Sequence, residues 1–514
     1  IQQNSYEADN RGNTWQLLTF HPPILTAVCP CHRKYTFAIY YSIKNQHRLL
    51  RISWRNMNKT SRIFWPVLVT PKNAVIKSTE ATSRSQKLMT ELGLIKSASN
   101  GTFQVLPLAQ RSLDKCTNLL NCHMRALGGQ KLSLPSLTAT TLWKKSGRLD
   151  GDITEFYLVR DRHDKEHILS PTHEEAITAM LASTAPISHR QLPLRLYQIG
   201  PKFRDELKAR FGLLRAKEFL MKDMYTFDKT IADARITYEQ VNQAYLALLK
   251  KLQVPFVKVE ADSGIMGGSM SHEYHFLSET GEDKLLACRC CDYAANIEAC
   301  GVQSKCPRCS SLNLSEVRGI EVAHAFLLGD KYSKPLGATY LQSNGKPDHL
   351  AMGCYGVGVT RIVAAALEAL STEQELRWPT LLAPFDICII GPKEGSKEQR
   401  VGDSIEHTLC TSLEEVLAPD DVLQDDRKHM TIGKRLMDAK RMGYPIIVIV
   451  GSKVLQESPK LEFHMGNKML ELDPGDVIKE VGKYYANKRQ LLECNECSDQ
   501  PSRVETNEKM CESH

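Results

Sequence analysis

Several things are scarce or missing in this 514-residue chain. It has no uninterrupted apolar run of about 18 residues, so neither a membrane-spanning helix nor a membrane partner is expected. It has little net charge. Lys and Arg number 66 against 59 Asp and Glu, and the resulting +7 permits a polyanionic partner without demanding one. Its sixteen cysteines are too dilute for the disulfide framework of a small secreted domain, which points to reduced thiols in an intracellular enzyme. Acids are locally absent: from Asn10 to Thr79 there is no Asp or Glu, against eleven Lys and Arg. A basic, acid-free, hydroxyl-rich stretch has the profile of an organellar transit peptide. A disordered basic tail that binds RNA without specificity is the other reading. The chain opens on Ile1 rather than Met, which makes Met57 a candidate initiator with residues 1–56 upstream.

Length allows two or three domains and a large core. The stretch Lys202 to Asp228 reads as a strand, a basic loop and a returning strand. Arg204, Arg210 and Arg215 on such a hairpin suit a ligand with several phosphates, because the guanidinium forks onto their oxygens. Phe219 offers a stacking face for a base. A second stretch, Met352 to Arg361, places Gly at 353, 356 and 358 before an Ala-rich helix, where a ligand can approach the backbone. Either stretch alone is as easily a solvated hairpin or a packed strand.

Taken together, these residues resemble the class II aminoacyl-tRNA synthetases. Phe203-Arg204-Asp205-Glu206 is similar to that family's second signature motif, and Gly356-Val357-Gly358-Val359-Thr360-Arg361 to its third. Pro135, after Gly128-Gly129, fits the first, which builds the dimer interface. The resemblance narrows to the prolyl-tRNA synthetases through Ser170-Pro171-Thr172-His173-Glu174-Glu175, Arg190 to Pro193, Leu196 to Ile199, Gly267 to Glu273, Tyr293 to Glu298 and Gly319 to His324. It runs from about Gly93 to about Gly451. The short segment after Glu298 is similar to the organellar form, which lacks the large editing insertion.

The resemblance implies an α/β (α+β) protein with an antiparallel-sheet catalytic domain at 83–376 and a smaller α/β anticodon-binding domain at 377–490. A basic extension (1–82) and a polar tail (491–514) would flank them. It implies a homodimer in the mitochondrial matrix that uses ATP, Mg2+, L-proline and tRNA(Pro). By resemblance Arg204 holds the α-phosphate and the substrate carboxylate, Glu206 the adenine amino group, and Phe219 and Arg361 the two faces of the base. Arg215 and Arg361 reach the γ-phosphate, and Gly358 borders the nucleotide. Thr172, Glu174, Arg204, His324 and Cys354 form the proline pocket, with Glu174 receiving the ammonium. Departures from the family pattern (Ala323 for Gly, Asp330 for Thr, Ala216-Lys217 for Gly-Arg, Leu207-Lys208 for Pro-Arg) bear on rate rather than class. The rival is a catalytically inactive synthetase-like nucleic-acid-binding subunit. Such a protein would lose its ATP-site arginines, whereas Arg204, Glu206 and Arg361 are present.

Local patterns add further expectations. Leu113, Cys116, Leu120, Met124 and Leu127 recur at helical spacing, and Ile236, Val241, Tyr245, Leu248 and Leu252 are expected to face a core. Lys131 to Leu137 reads as a strand interrupted by Pro135. Thr172 with Glu175 reads as a capping box. Beyond Trp378-Pro379, strands at 385–390 and 445–450 with helices at 397–417 and 433–442 suggest the second α/β domain. Asp425 to Lys428 and Gly433 to Arg435 are expected on its loops, making Asp426, Arg427 and Lys434 candidates for anticodon contacts. Cys288, Cys291, Cys306 and Cys309 form C-x2-C-x14-C-x2-C, the spacing of a zinc ribbon at residues 288–309; ordinary reduced thiols are the alternative. Cys494 and Cys497 have no partner pair.

Overall fold

The computed structural model describes residues 58–66, 83–150, 154–291, 293–297, 304–416 and 421–492. Met57, Glu298, Cys494, Cys497 and most of the N-terminal extension and tail lie outside them. All described residues belong to one compact unit, Asn56–His514.

A nine-stranded sheet carries the two signature stretches side by side. Leu194–Phe203 and Glu218–Asp228 are antiparallel, with Lys202 opposite Phe219, as the strand-loop-strand reading expected. Glu218–Asp228 pairs on its other side with Ala351–Gly358, the Gly-rich stretch. Ala351–Gly358 in turn pairs with Leu314–Gly329, a strand of 16 residues. The first residues of Leu314–Gly329 pair with Asp283–Cys288, and its later ones with Met270–Leu277. Gly353 serves packing rather than ligand access, since a side chain there would collide with Tyr355 and Thr226. Gly356 and Gly358 do face a cavity.

Helices cover the sheet where their apolar stripes dictate. Pro107–Ala126 starts with Pro at its first turn, where the missing N–H costs nothing, and buries Leu113, Cys116, Leu120 and Met124. It stops before Gly128, whose φ of +72° is left-handed. Ile231–Leu252 is capped by Thr230 and buries Val241, Tyr245, Leu248 and Leu252. Ile236, expected in that stripe, is instead 61% exposed, because the buried positions run through Ala234, Tyr238 and Val241 on the other face. Val359–Leu370 buries nearly every residue between the sheet and Pro107–Ala126.

The strand expected at 131–137 is much shorter. Only Gln130–Lys131 pairs, parallel to Leu196 and Tyr197 at the sheet edge. Pro135 lies in the loop beyond, and Leu137–Ala139 joins a separate sheet with Tyr157–Arg160 and Glu166–Leu169.

The C-terminal part forms a five-stranded sheet in the order Val422–Asp425, Ile387–Ile390, Ile446–Ile449, Leu461–Met465, Lys468–Leu472, with the first three strands parallel. One of its faces joins the main apolar core, whose buried members run from Leu88 to Ile449. Buried Asp386 and Asp421 receive Lys115 from Pro107–Ala126 and Lys488 from Pro474–Leu492, and so tie the two parts together. Gly433 to Arg435 do not lie on a loop: they occupy the first turn of the helix Ile432–Met442, capped by Thr431, and Arg435 is fully buried.

The N-terminal extension does not stand clear of the body along its whole length. Lys59 bridges Gln424, Ser61 N–H donates to Asp426 Oδ1 at 2.8 Å, and Trp65 Nε1 donates to Leu92 O at 2.6 Å. Arg427 stacks over the Trp65 ring at 5.1 Å.

Candidate active site

Two neighbouring cavities, of about 360 and about 240 Å³, share Arg204, Glu321 and Arg361 in their walls. The larger also takes Thr172, Glu174, Phe219, His324, Cys354 and Gly358; the smaller takes Glu206 and Arg215. Every residue expected at ATP or proline therefore lines one cavity or the other. Asp426, Arg427 and Lys434 lie in the C-terminal part, and the four cysteines lie at the far end of the strand pair Asp283–Cys288 and Leu314–Gly329.

Arg204 follows directly on Leu194–Phe203, its backbone N–H held by Lys217 O at 2.9 Å. Among the described residues its guanidinium makes no hydrogen bond or ion pair, and it rests 5.3 Å from the Phe219 centroid. Burial, and then the nearby Arg361, lower its pKa from the ordinary value, while Glu321 and Glu206 oppose them. The cavity thus presents a guanidinium that feels nearby acids but, among the described residues, has no direct ion-pair partner. Arg361, on the first turn of Val359–Leu370, donates from Nε to Leu214 O at 2.9 Å and from Nη1 to Glu321 Oε2 at 3.2 Å. Arg215 is shared by two acids, Glu206 and Glu282, each at 2.8 Å.

Glu321 would be raised by burial alone, but the hydrogen bond and charge of His324, and then Arg361, bring it below the usual carboxylate range. His324 stacks on Phe326 with ring centroids 3.8 Å apart, and its Nε2 lies 2.6 Å from Ser271 Oγ. It lines the pocket wall with both ring nitrogens partnered, Nδ1 lying 3.1 Å from Glu321 Oε1.

At the other end of the larger cavity, Glu174 opens the helix Glu174–Ala182, where an acid suits the helix dipole. The expected capping box does not form: the cap residue is His173, without a side-chain cap bond. Thr172 Oγ1 instead donates to both oxygens of Glu174, at 2.8 and 2.7 Å. Cys354 Sγ donates to Glu174 Oε1 at 2.9 Å. Burial and the Glu174 charge push the Cys354 thiol well above its usual range, so it remains a protonated donor. Arg148 Nη1 sits 3.3 Å from Glu174 Oε2 and from Glu175 Oε1. With these partners the Glu174 carboxylate is fully covered.

Sequence reasoning missed Arg148, which is buried and stacked over Trp143 at 4.5 Å. No motif surrounds it in the loop after Thr140–Lys145. It also missed the buried pair Lys202–Asp223 at 2.8 Å. From Asp223, Tyr225 OH reaches His173 N and fixes the loop that presents Thr172. Lys222 and Asp223 stand out among the mostly apolar residues of Glu218–Asp228, but nothing local names the partner of either.

The expected anticodon residues are occupied within the chain. Arg427 is paired with Asp425 at 2.6 Å and Asp438 at 3.0 Å, Lys434 with Asp438 at 2.7 Å, and Asp426 with Ser61.

Residues 157–370 match the family described as the tRNA synthetase class II core domain (G, H, P, S and T), and residues 386–484 match an anticodon binding domain. The probable mitochondrial proline–tRNA ligase of Homo sapiens is 48% identical over 388 residues, covering 75% of this chain and 82% of the relative. The Schizosaccharomyces pombe protein of the same description is 39% identical, covering 73% and 87%. The proline–tRNA ligase of Ehrlichia chaffeensis is 36% identical, covering 73% and 89%. A crystal structure of prolyl-tRNA synthetase from Cryptosporidium parvum, complexed with L-proline and AMP, superposes with a TM-score of 0.64 at 17% identity, covering 79% of this chain and 76% of that one. That likeness speaks to the fold. Given relatives this similar over most of their length, the chain belongs to the proline–tRNA ligase family of class II synthetases.

Proposed function

We propose that this chain joins L-proline to tRNA(Pro) in two steps at the paired cavities. The observation that carries the reading is the polarity of the larger cavity: a partnerless guanidinium, Arg204, and a buried carboxylate, Glu174, in one wall set. That arrangement suits a zwitterionic amino acid. The proline carboxylate attacks the ATP α-phosphorus, the bond to the β-phosphate oxygen breaks, and its electrons leave with pyrophosphate. The 3′-terminal ribose hydroxyl of the tRNA then attacks the prolyl carbonyl and AMP departs. A carboxylate is already a nucleophile, so the first step rests on positioning and charge neutralisation.

In this reading Arg204 binds the substrate carboxylate and α-phosphate, Phe219 and Arg361 flank the adenine, and Glu206 meets its amino group. Arg215 and Arg361 reach the γ-phosphate. The proline ammonium takes the acceptor positions on Glu174 now filled by Thr172 and Cys354, while His324 closes the side of the pocket. Mg2+ requires hard oxygen donors, and Glu273 and Glu321, whose carboxylates lie within 4.8 Å of one another beside Arg361, fit it. Bound there, the ion would neutralise phosphate charge.

The C-terminal part binds the anticodon stem-loop. The chain acts as a homodimer through the sheet edge at Gln130–Lys131, in the mitochondrial matrix. ATP–pyrophosphate exchange by the purified protein is expected with proline and not with threonine; exchange supported by threonine alone would overturn the assignment. A fluorescent protein preceded by residues 57–85 is expected in mitochondria, and a diffuse cytosolic signal would reject the matrix reading.

A further inference from the structure

We propose that Cys288, Cys291, Cys306 and Cys309 bind one zinc ion that pins the end of the strand pair leading to the active site. The four sulfurs come from two separate turns and converge, all lying within 4.8 Å of one another. They pair across the turns, Cys288 with Cys309 and Cys291 with Cys306, each at 3.6 Å. A disulfide would bring two sulfurs to about 2.05 Å. A tetrahedral zinc with bonds of about 2.3 Å sets neighbouring sulfurs about 3.8 Å apart. The observed spacing is that of ligands around a common centre.

The main chain is shaped for the same purpose. Cys290 N–H donates to Cys288 Sγ at 3.3 Å, so an amide already faces a sulfur that would carry negative charge. The second turn is closed by Ser310 N–H to Cys306 O and Cys306 N–H to Ser311 O, both 2.8 Å. Ser310 accepts a left-handed φ of 58° to complete it. Two further cysteines fall within residues 288–309: Cys300 lies outside the described residues, and Cys290 is exposed and directed to Ser311 Oγ, outside the set.

Among the described residues, the apolar cluster at this end is small: Tyr293, Ala295 and Cys306 are its buried members, with Cys288, Cys291 and Leu314 partly buried against them. A core that small does not fix two turns by itself, and a metal is the usual staple. Thiolate donors select zinc or iron–sulfur chemistry over hard cations. With four protein ligands the site is closed and structural, not catalytic. Its consequence reaches the pocket through register. Cys288 lies opposite Leu314, the first residue of the strand that carries Glu321 and His324.

The test uses the full chain, expressed and purified without added metal. Elemental analysis is expected to give one zinc per chain. Cys290→Ser should retain it, and Cys306→Ser should release it. Zinc X-ray absorption of the unmodified protein should show four sulfurs at about 2.3 Å, a readout that survives any folding failure of the variant. Zinc far below stoichiometric in folded, active protein would overturn the proposal, as would nitrogen or oxygen ligands. Two disulfides in the intact mass, or iron with visible absorbance, would equally reject it.

Discussion

Replacing Arg204 with alanine is expected to abolish proline-dependent pyrophosphate exchange while leaving the protein folded. The guanidinium makes no hydrogen bond or ion pair among the described residues, so its removal strands no partner. Its contact with the Phe219 ring is worth on the order of 0.5–1 kcal/mol, and the melting temperature should barely move. Catalysis should respond differently. A preorganised donor aimed at developing charge contributes about 3 kcal/mol or more, on the order of a hundredfold in rate. Arg204→Lys should recover only part of it, because an ammonium lacks the planar fork that spans two oxygens. Near-normal exchange in well-folded Arg204→Ala would remove the central residue from the proposed mechanism.

The second large effect is expected at a residue that no motif marks. Arg148 stands between two fully buried carboxylates, Glu174 and Glu175. Burial raises the Glu175 pKa, Arg148 opposes that rise, and Glu174 adds to it. Arg148→Met keeps much of the bulk against Trp143 and removes the charge. Leaving buried charge unpaired typically costs about 3–5 kcal/mol. The loss should depend on pH with a definite sign. A carboxyl whose folded pKa is raised is satisfied below its unfolded pKa, near 4.3 for Glu, and loses stability as pH rises through the folded value. The deficit relative to the unsubstituted protein should therefore grow as pH rises above the ordinary carboxylate range. Denaturant titrations at a series of pH values measure it. A deficit that is flat or shrinks with pH would show that Arg148 is not neutralising this pair. Proline binding should weaken as well, because Arg148 no longer holds the Glu174 carboxylate in place.

How much of this could be read from the residues depended on whether the information was local. The hairpin around Arg204 and the strand ending in Gly358 were legible, because charge and glycine interrupt otherwise apolar runs. The helices at 107–126 and 231–252 showed as stripes, although the phase of the second was misjudged at Ile236. The Thr172 cap failed for a different reason. As a cap its oxygen would accept a backbone N–H of the first turn; here the O–H is committed as a donor to the buried Glu174 carboxylate, and the helix starts one residue later, after His173. Arg148 and the Lys202–Asp223 pair were invisible because their partners are distant in sequence or meet across strands. The loop placement of Gly433 to Arg435 erred although a helix was expected from 433, because these charges were read as RNA contacts at the helix end. In fact Thr431 caps the helix just before Gly433, and a first-turn glycine costs little there.

Were the chain cleaved on import, the seat of Trp65 would bear on where the cut falls. Residues 58–66 form part of the folded body, clamped between Leu92 and the loop holding Asp426 and Arg427. A processing peptidase that cut at residue 57 or earlier would leave this clamp intact. One that cut after residue 66 would take Trp65 with it, free the Asp426 carboxylate and uncover one face of Arg427. The two cleavage products would share the same catalytic cavities yet present different surfaces on the C-terminal part. Position of cleavage, rather than sequence of the enzyme, would then set how that surface meets RNA.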